Sequence, residues 1–324
     1  MLTRRQVEDL LGFDECIAAV EAAFRLHGEG LSLAPGVLGV PSREGGFHIK
    51  AAGLELGRPY FAAKTNGNFP GNPVRHGLPA IQGVIVLCDA GNGRPLAVMD
   101  SMEVTLRRTA AATAVAARRL ARPEADAVTV CGCGIQGRAQ LRALARVLPL
   151  RRAFAIDADE AVARAFAHDL SAELGLDVAP APDLAEALGK SAVCVTCTPS
   201  TRPLVFREHV RPGTFVAAVG ADSPQKQELD PGLMAASTVV ADVLEQCAVM
   251  GDLHHALAAG AMTRADVHAE MADLVTGRKP GRRSAEEITI FDSTGTAIED
   301  VAAAAIVYER ALAAGAGLRV ELGG

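Results

Sequence analysis

Two lysines stand where an unpaired charge is costly. Lys64 lies in YFAAKTNGN and Lys50 in GFHIKAAG, each among small or apolar residues, and a buried ammonium needs a partner or a purpose. Anchoring a substrate carboxylate is one purpose; snorkelling from an edge strand is the ordinary alternative. Arg107 and Arg108 come just before Thr109 in LRRTAAATA. One can lie on the surface while the other presents a bidentate fork to a carboxylate. Asp222, in VGADSPQKQEL, follows the apolar run TFVAAVG. The C-terminal end of such a strand is where doubly wound sheets bind ligands. Beside an imino acid, a carboxylate there can act as general acid and base at nitrogen.

A second constellation is Gly132-x-Gly134-x-x-Gly137, in AVTVCGCGIQGRAQLRALARV. By itself this pattern is weak, but here it follows an apolar strand and opens a helix, which is the context it needs. The first glycine makes the tight turn, the second lets backbone approach a pyrophosphate, and the third allows close helix–strand packing. The helix N-terminus then faces the anion. The next strand ends at Asp157, twenty residues after Gly137. An acid there bonds a ribose hydroxyl and repels a 2′-phosphate, so the expected cofactor is NAD.

These residues need elements to hold them. Residues 1–30 read as one helix, with Leu10, Leu11, Ile17, Val20, Ala23 and Phe24 at helical spacing and Gly28 and Gly30 at its end. From 37 to 100 come short strand-like runs, GVLGV, GFHIKAAG, YFAAKT, AIQGVIVLCD and PLAVMD, separated by glycine, proline and asparagine turns. An Ala/Arg helix follows from Thr105 to Arg122, closed by Pro123. Residues 127–245 alternate apolar strands with helices, the signature of a parallel sheet covered on both faces. The tail reads as a strand, EITIFDST, an alanine-rich helix, EDVAAAAIVYERALAAG, and a last strand-like LRVEL. The expected fold is α/β, a Rossmann-type doubly wound parallel sheet with an additional α+β part.

The 324 residues suit about two domains. With 49% apolar residues the chain can fill a core, and at net charge −6 it is not a dedicated nucleic-acid binder. Four per cent aromatics and no Trp argue against base stacking as well. No 18-residue apolar run predicts a membrane span, and the charged start MLTRRQVEDLL does not read as a signal peptide. A soluble, cytoplasmic protein is expected. The seven scattered cysteines suggest no disulfide framework, and Cys194-x-x-Cys197 lies in a strand, AVCVTCT, where structural thiols are expected. His254-His255 lacks partners at ligand spacing, so no metal is expected. No nucleophile-elbow motif is present, and KPGRR at 279–283 reads as a solvated basic turn or dimer-rim contact.

The chain resembles the ornithine cyclodeaminase/mu-crystallin family, and within it the alanine dehydrogenase-like branch. The resemblance is carried by AAKTNGNFPGNP around Lys64, LRRTAAATA, CGCGIQGRAQL, Asp157, TCTPS, VGADSPQKQELD and ITIFDSTGTAIEDVA. It implies a homodimer whose protomer has a substrate and dimerisation domain, 1–122 with 299–324, around a Rossmann domain, 123–298. It implies that Lys64 and Arg108 hold the substrate carboxylate, that Asp222 is the acid/base, and that Thr294 lines the substrate pocket. NAD would be held by Gly132, Gly134, Ile135, Gln136, Gly137, Asp157, Thr198, Val219, Gly220, Ala221, Lys226 and Ser293. The implied activity is hydride transfer between nicotinamide and the Cα of an amino or imino acid, by a dehydrogenase or imine reductase. A redox-neutral cyclodeaminase and a non-catalytic, mu-crystallin-like binder are the alternatives.

Departures bear on substrate. Where cyclodeaminases of this family carry a glutamate for a distal amine, and the alanine dehydrogenase branch an arginine, this chain has His48; Lys50 replaces a common methionine two positions later. Without the glutamate a cationic side chain loses its partner. Lys50 suits a second anionic group, or stands in for the missing arginine as a carboxylate anchor, and His48 can be a neutral packing residue.

Overall fold

A computed structural model describes residues 1–321. The chain groups into two compact units, Met1–Arg108 with the chain from Thr296 onward, and Thr109–Gly295. Their boundaries, 108/109 and 295/296, compare with the 122/123 and 298/299 read from the sequence; packing divides the long helix itself. The last three residues of the expected 299–324 segment lie outside the described residues.

The first unit begins with two helices rather than the one expected, α1 (Arg4–Leu10) and α2 (Phe13–Gly28). Thr3 and Gln6 cap α1 reciprocally. Leu11 and Gly12 then leave the helical conformation, and Gly12 becomes the N-cap of α2. Five antiparallel strands follow in chain order across one sheet: β1 (Ser32–Ser42), β2 (Gly45–Glu55), β3 (Pro59–Asn68), β4 (Ile81–Asp89) and β5 (Pro95–Asp100). A short unexpected helix, Asn72–His76, sits between β3 and β4. Alternation gives the sheet two faces. Ala52, Leu54, Tyr60, Ala62, Ile85, Leu87 and Met99 point inward and are buried. Helix Ala297–Ala314 and α2 pack against this unit's sheet. On the other face Leu38, Val40, Phe47 and Val84 are exposed. The tail beyond Ala314 makes no strand among the described residues; Leu318 instead exchanges backbone hydrogen bonds with Met1, at 2.5 and 3.0 Å. Leu322 of the expected strand LRVEL lies outside the described residues.

The second unit contains an eight-stranded parallel sheet: β6 (Ala127–Cys131), β7 (Arg152–Ile156), β8 (Asp177–Pro180), β9 (Val193–Thr196), β11 (Phe215–Ala218), β13 (Thr238–Ala241), β14 (Ala269–Glu270) and β15 (Thr289–Asp292). Their spatial order is β14-β13-β15-β11-β9-β6-β7-β8, so the chain leaves β6 in one direction and returns to build the other half beside it. Strands β10 (Thr201–Val205) and β12 (Gln227–Leu229), which the sequence pattern did not reveal, form a separate parallel pair. Strands β6, β9, β11 and β15 are buried at every residue, which explains their unbroken apolar runs.

The basic turn at 279–283 is not merely solvated. The guanidinium of Arg282 donates to the carbonyls of Leu120 (2.8 Å), Glu287 (2.6 Å), Ser284 (3.2 Å) and Thr214 (3.4 Å) and to the Thr289 hydroxyl (2.9 Å). It ties the end of the long helix α4 (Met102–Leu120) to β15 within the second unit. Arg282→Ala strands these acceptors and is expected to lower unfolding free energy by about 2–4 kcal/mol, read from the urea midpoint. A change under about 0.5 kcal/mol would class it as an ordinary surface residue.

Candidate active site

In the first unit, β2 and β3 bring Lys50 directly opposite Lys64. Both face inward and are buried, at 9% and 3% exposure; neither is an edge-strand lysine. α4 supplies Arg108, also buried, and the first turn of helix Ala297–Ala314 supplies Glu299 and Asp300. The Lys64 ammonium sits 2.7 and 2.8 Å from the two Asp300 oxygens. Arg108 reaches Glu299 at 2.8 Å and Asp300 at 3.0 Å. Arg107 points elsewhere, donating to the Leu11 carbonyl and lying over the Phe13 ring. So Arg108 is the inward arginine of the pair and Arg107 a packing residue.

Lys64 and Arg108 thus share the carboxylates of Asp300 and Glu299, and Lys50 acts on both Lys64 and Asp300 through space. Burial and the neighbouring Arg108 push Lys64 down to about 7, against the pull of Asp300. Burial alone would raise the Asp300 carboxyl, but Lys64 and Arg108 hold it below the usual carboxylate range. His48 lies on the same face of β2 as Lys50, opposite Asn66, and is half-buried. Glu299 and Asp300 were assigned no role from sequence. The available signal was two adjacent acids at the start of an otherwise apolar helix.

In the second unit the remaining residues gather at the C-terminal edge of the parallel sheet. Gly132, after β6, has φ +95°, and a Cβ there would lie 2.8 Å from the Cys197 carbonyl oxygen. A Cβ on Gly137 would strike the Gly132 carbonyl, whereas Gly134 faces open space as the N-cap of helix α5 (Ile135–Leu144). Ile135 stands exposed at its first turn, and the Gln136 amide nitrogen is buried without a hydrogen-bond partner. Asp157, beyond β7, accepts from the Cys133 amide at 2.8 Å through one oxygen and from Asp159 at 3.0 Å through the other. Each oxygen keeps a further lone pair for a ribose diol. The Ser293 hydroxyl, just past β15, is also buried without a partner. This close-approach turn, open helix N-terminus and orphaned polar atoms fit a dinucleotide.

Val219, Gly220 and Ala221 follow β11 and lead to Asp222, whose exposed carboxylate pairs with Lys226 at 2.6 Å. Thr294 is buried, and its hydroxyl is held by Asp242 (3.1 Å) and the Gln246 amide (2.7 Å). Thr198, past β9, is bound by Glu228, another residue unread from sequence. Cys197 backs the glycine turn, 3.2 Å from the Gly132 carbonyl, and burial pushes its thiol up. His254 and His255 turn to the carbonyls of Ala248 (3.4 Å) and Lys226 (2.9 Å). No helix among the described residues is long and apolar enough to cross a membrane.

Comparison with known proteins places these motifs. The model of the ornithine cyclodeaminase/mu-crystallin family matches residues 1–315. An alanine dehydrogenase of Archaeoglobus fulgidus is 40% identical over 99% of this chain and 98% of its own. An iminosuccinate reductase of Paracoccus denitrificans is 36% identical over 86% and 83%. Among solved structures, an archaeal alanine dehydrogenase dimer with bound NAD superposes with TM-score 0.95 at 39% identity, covering 99% of this chain and 98% of the other. The Thermococcus litoralis Δ1-pyrroline-2-carboxylate reductase, in complex with NADH and L-proline, gives 0.93 at 32% identity, covering 98% and 99%.

The lowered Lys64 pKa predicts pH-dependent anion binding. Protonated Lys64 attracts a carboxylate and the neutral amine does not, so acetate or pyruvate affinity should fall as pH rises through about 7. Asp300→Asn removes a group that raises the Lys64 pKa and should move that midpoint down. Calorimetric titration between pH 6 and 9 reads both; a flat profile would remove Lys64 as the anchor.

Proposed function

The chain belongs to the ornithine cyclodeaminase/mu-crystallin family, and we propose that it is an NAD-dependent oxidoreductase moving a hydride between nicotinamide and the Cα of an amino or imino acid. The observation that carries the substrate half of this reading is the buried cluster of Lys50, Lys64 and Arg108 against Glu299 and Asp300. Buried cations from two strands and a helix, oriented by carboxylates, suit a carboxylate ligand. Lys64 and Arg108 take the α-carboxylate, and their pairing with Asp300 and Glu299 fixes where they point.

The glycine turn and the first turn of α5 take the pyrophosphate, Asp157 the adenosine ribose, and the loops past β9, β11 and β15 the remainder. When bound, the dinucleotide supplies or accepts the hydride. Asp222 acts at the substrate nitrogen. In reduction of the C=N bond the carbon gains the hydride pair and Asp222 delivers the proton the nitrogen requires; in oxidation it removes one. Lys226 pairs with that carboxylate at 2.6 Å and fixes where it points. His48, standing where the family's cyclodeaminases carry glutamate, offers no anion to a distal amine, so net redox chemistry is favoured over cyclodeamination. A non-catalytic binder would have no use for Asp222.

Lys50, buried opposite Lys64, is the residue we assign to a second carboxylate of the substrate. The exposed apolar face of Leu38, Val40, Phe47 and Val84 is taken as the surface covered by a second copy, giving a homodimer, as the archaeal neighbour is a dimer. The free thiols suit a reducing cytoplasm.

NADH oxidation followed at 340 nm with 2-oxo acids tests the reading. Loss of NADH should require ammonia or methylamine, and silence with every 2-oxo acid and cyclic imino acid would overturn it. Asp222→Asn should lower turnover by at least about 100-fold while NADH still binds. Lys50→Met should lower kcat/KM for oxaloacetate with ammonia about tenfold more than for pyruvate. Equal losses would make Lys50 a general α-carboxylate anchor.

A further inference from the structure

Glu228 lies in the short strand β12, fully buried, and the mechanism above gives it no task. Its carboxylate collects four donors. One oxygen accepts from the Thr198 amide at 2.6 Å and the Thr198 hydroxyl at 2.7 Å. The other accepts from the Gly220 amide at 2.8 Å and the Thr196 hydroxyl at 2.7 Å. Thr196 ends β9 and Thr198 belongs to the loop after it, whereas Gly220 belongs to the loop after β11. A single side chain therefore spans the ends of two neighbouring strands. The approach is close enough that a Cβ on Gly220 would strike the Thr198 carbonyl and lie 2.6 Å from the Glu228 carboxyl carbon.

Glu228 is itself held from behind. Its backbone amide and that of Leu229 both donate to Asp252, each at 2.8 Å. The amides of Asp252 and Leu253 donate in turn to Asp292, at 3.3 and 2.9 Å. Asp292 is the last residue of β15, and the next amide, Ser293, donates to the Ala218 carbonyl of β11 at 2.9 Å. Three carboxylates thus register the loops after β9, β11 and β15 through backbone N–H groups.

These loops lie on one side of the switch point. The glycine turn follows β6 and Asp157 follows β7, and both serve the adenosine and pyrophosphate half; β9, β11 and β15, parallel to them, lie on the other side of β6, so the switch point falls between β6 and β9. The other half of a dinucleotide that crosses the switch point must rest on them. We propose that Glu228 is a positioning residue for the nicotinamide half of the bound dinucleotide, setting the Thr198 and Gly220 loops without touching the ligand. The proposal rests on the dinucleotide reading above.

Its geometry makes the isosteric variant informative. A glutamine carries one acceptor oxygen and one NH2. The two threonine hydroxyls can rotate to accept from it, but the Thr198 and Gly220 amides cannot. In Glu228→Gln one of these N–H groups must face an NH2, so one loop is released in either orientation. The experiment is titration of the purified protein with NADH and, separately, with ADP-ribose, which lacks the nicotinamide. Glu228→Gln is expected to weaken NADH binding about 10- to 100-fold, the loss of one or two charge-assisted hydrogen bonds, and to change ADP-ribose binding less than about threefold. Equal losses for both ligands would make Glu228 a fold residue, and full retention of NADH affinity would deny it any positioning role; either overturns the proposal. If Glu228→Gln does not fold, Thr196→Val removes one donor and should show the same selectivity at about 3- to 10-fold, with no selectivity again overturning it. Failure of the wild-type protein to bind NADH would defeat the dinucleotide reading instead.

Discussion

The first unit depends on the Lys64–Asp300 ion pair and the charges around it. Lys64 comes from the centre of a sheet, Arg108 from a helix after it, and Asp300 from nearly two hundred residues later in the chain. None of the three could be buried alone, because the desolvation of a lone charge exceeds what a packed side chain returns. Burying them requires the C-terminal helix to lie on the inner face of the N-terminal sheet. The discontinuity of this unit is therefore an electrostatic consequence as much as a topological one. The alanines of helix Ala297–Ala314 permit the close approach; Val301, Ala303, Ala304 and Val307 are completely buried.

The two units manage buried charge in opposite ways. In the first, the Glu299 and Asp300 carboxylates meet the Lys64 and Arg108 cations directly. In the second, Glu228, Asp252, Asp242 and Asp292 are buried and draw on backbone N–H and hydroxyl donors. Burial pushes Glu228 up and Asp252 to about 7, and Asp292 well above the ordinary aspartate range. Backbone donors fix geometry, and on the proposed reading the phosphates of a dinucleotide would be met by the glycine turn and the helix N-terminus. On that reading, electrostatic attraction for the substrate and rigid placement of the cofactor would be assigned to different parts of the chain.

Much of this was legible in the residues because the constraints are local. A glycine at φ +95° and another with no room for a Cβ leave a spacing that can be read directly. A lysine inside an apolar strand announces either a partner or a ligand. Partners far along the chain leave weaker marks. Glu299 and Asp300 look like ordinary acids placed at a helix N-terminus to suit its dipole, and nothing nearby shows that Lys64 and Arg108 face them. Glu228 lies in a strand of three residues, too short for any periodicity. The break between α1 and α2 leaves no mark in the apolar pattern, because Leu10 and Leu11 continue the helical spacing across it. Arg282 sits in a basic turn that reads as solvent-facing, yet all its donors go to protein oxygens.

Why Lys64 and not another residue should answer to the substrate follows from its balance of forces. Arg108 remains charged at any accessible pH, and Asp300, between two cations, stays ionised. Lys64 alone among the three is poised near neutrality, at about 7, so its charge is a removable proton. On the proposed reading, an entering carboxylate would stabilise that proton, and binding and proton uptake would become one event. The carboxylate would then set the charge of its own site, while the Arg108–Glu299 pair keeps the geometry in which it is received.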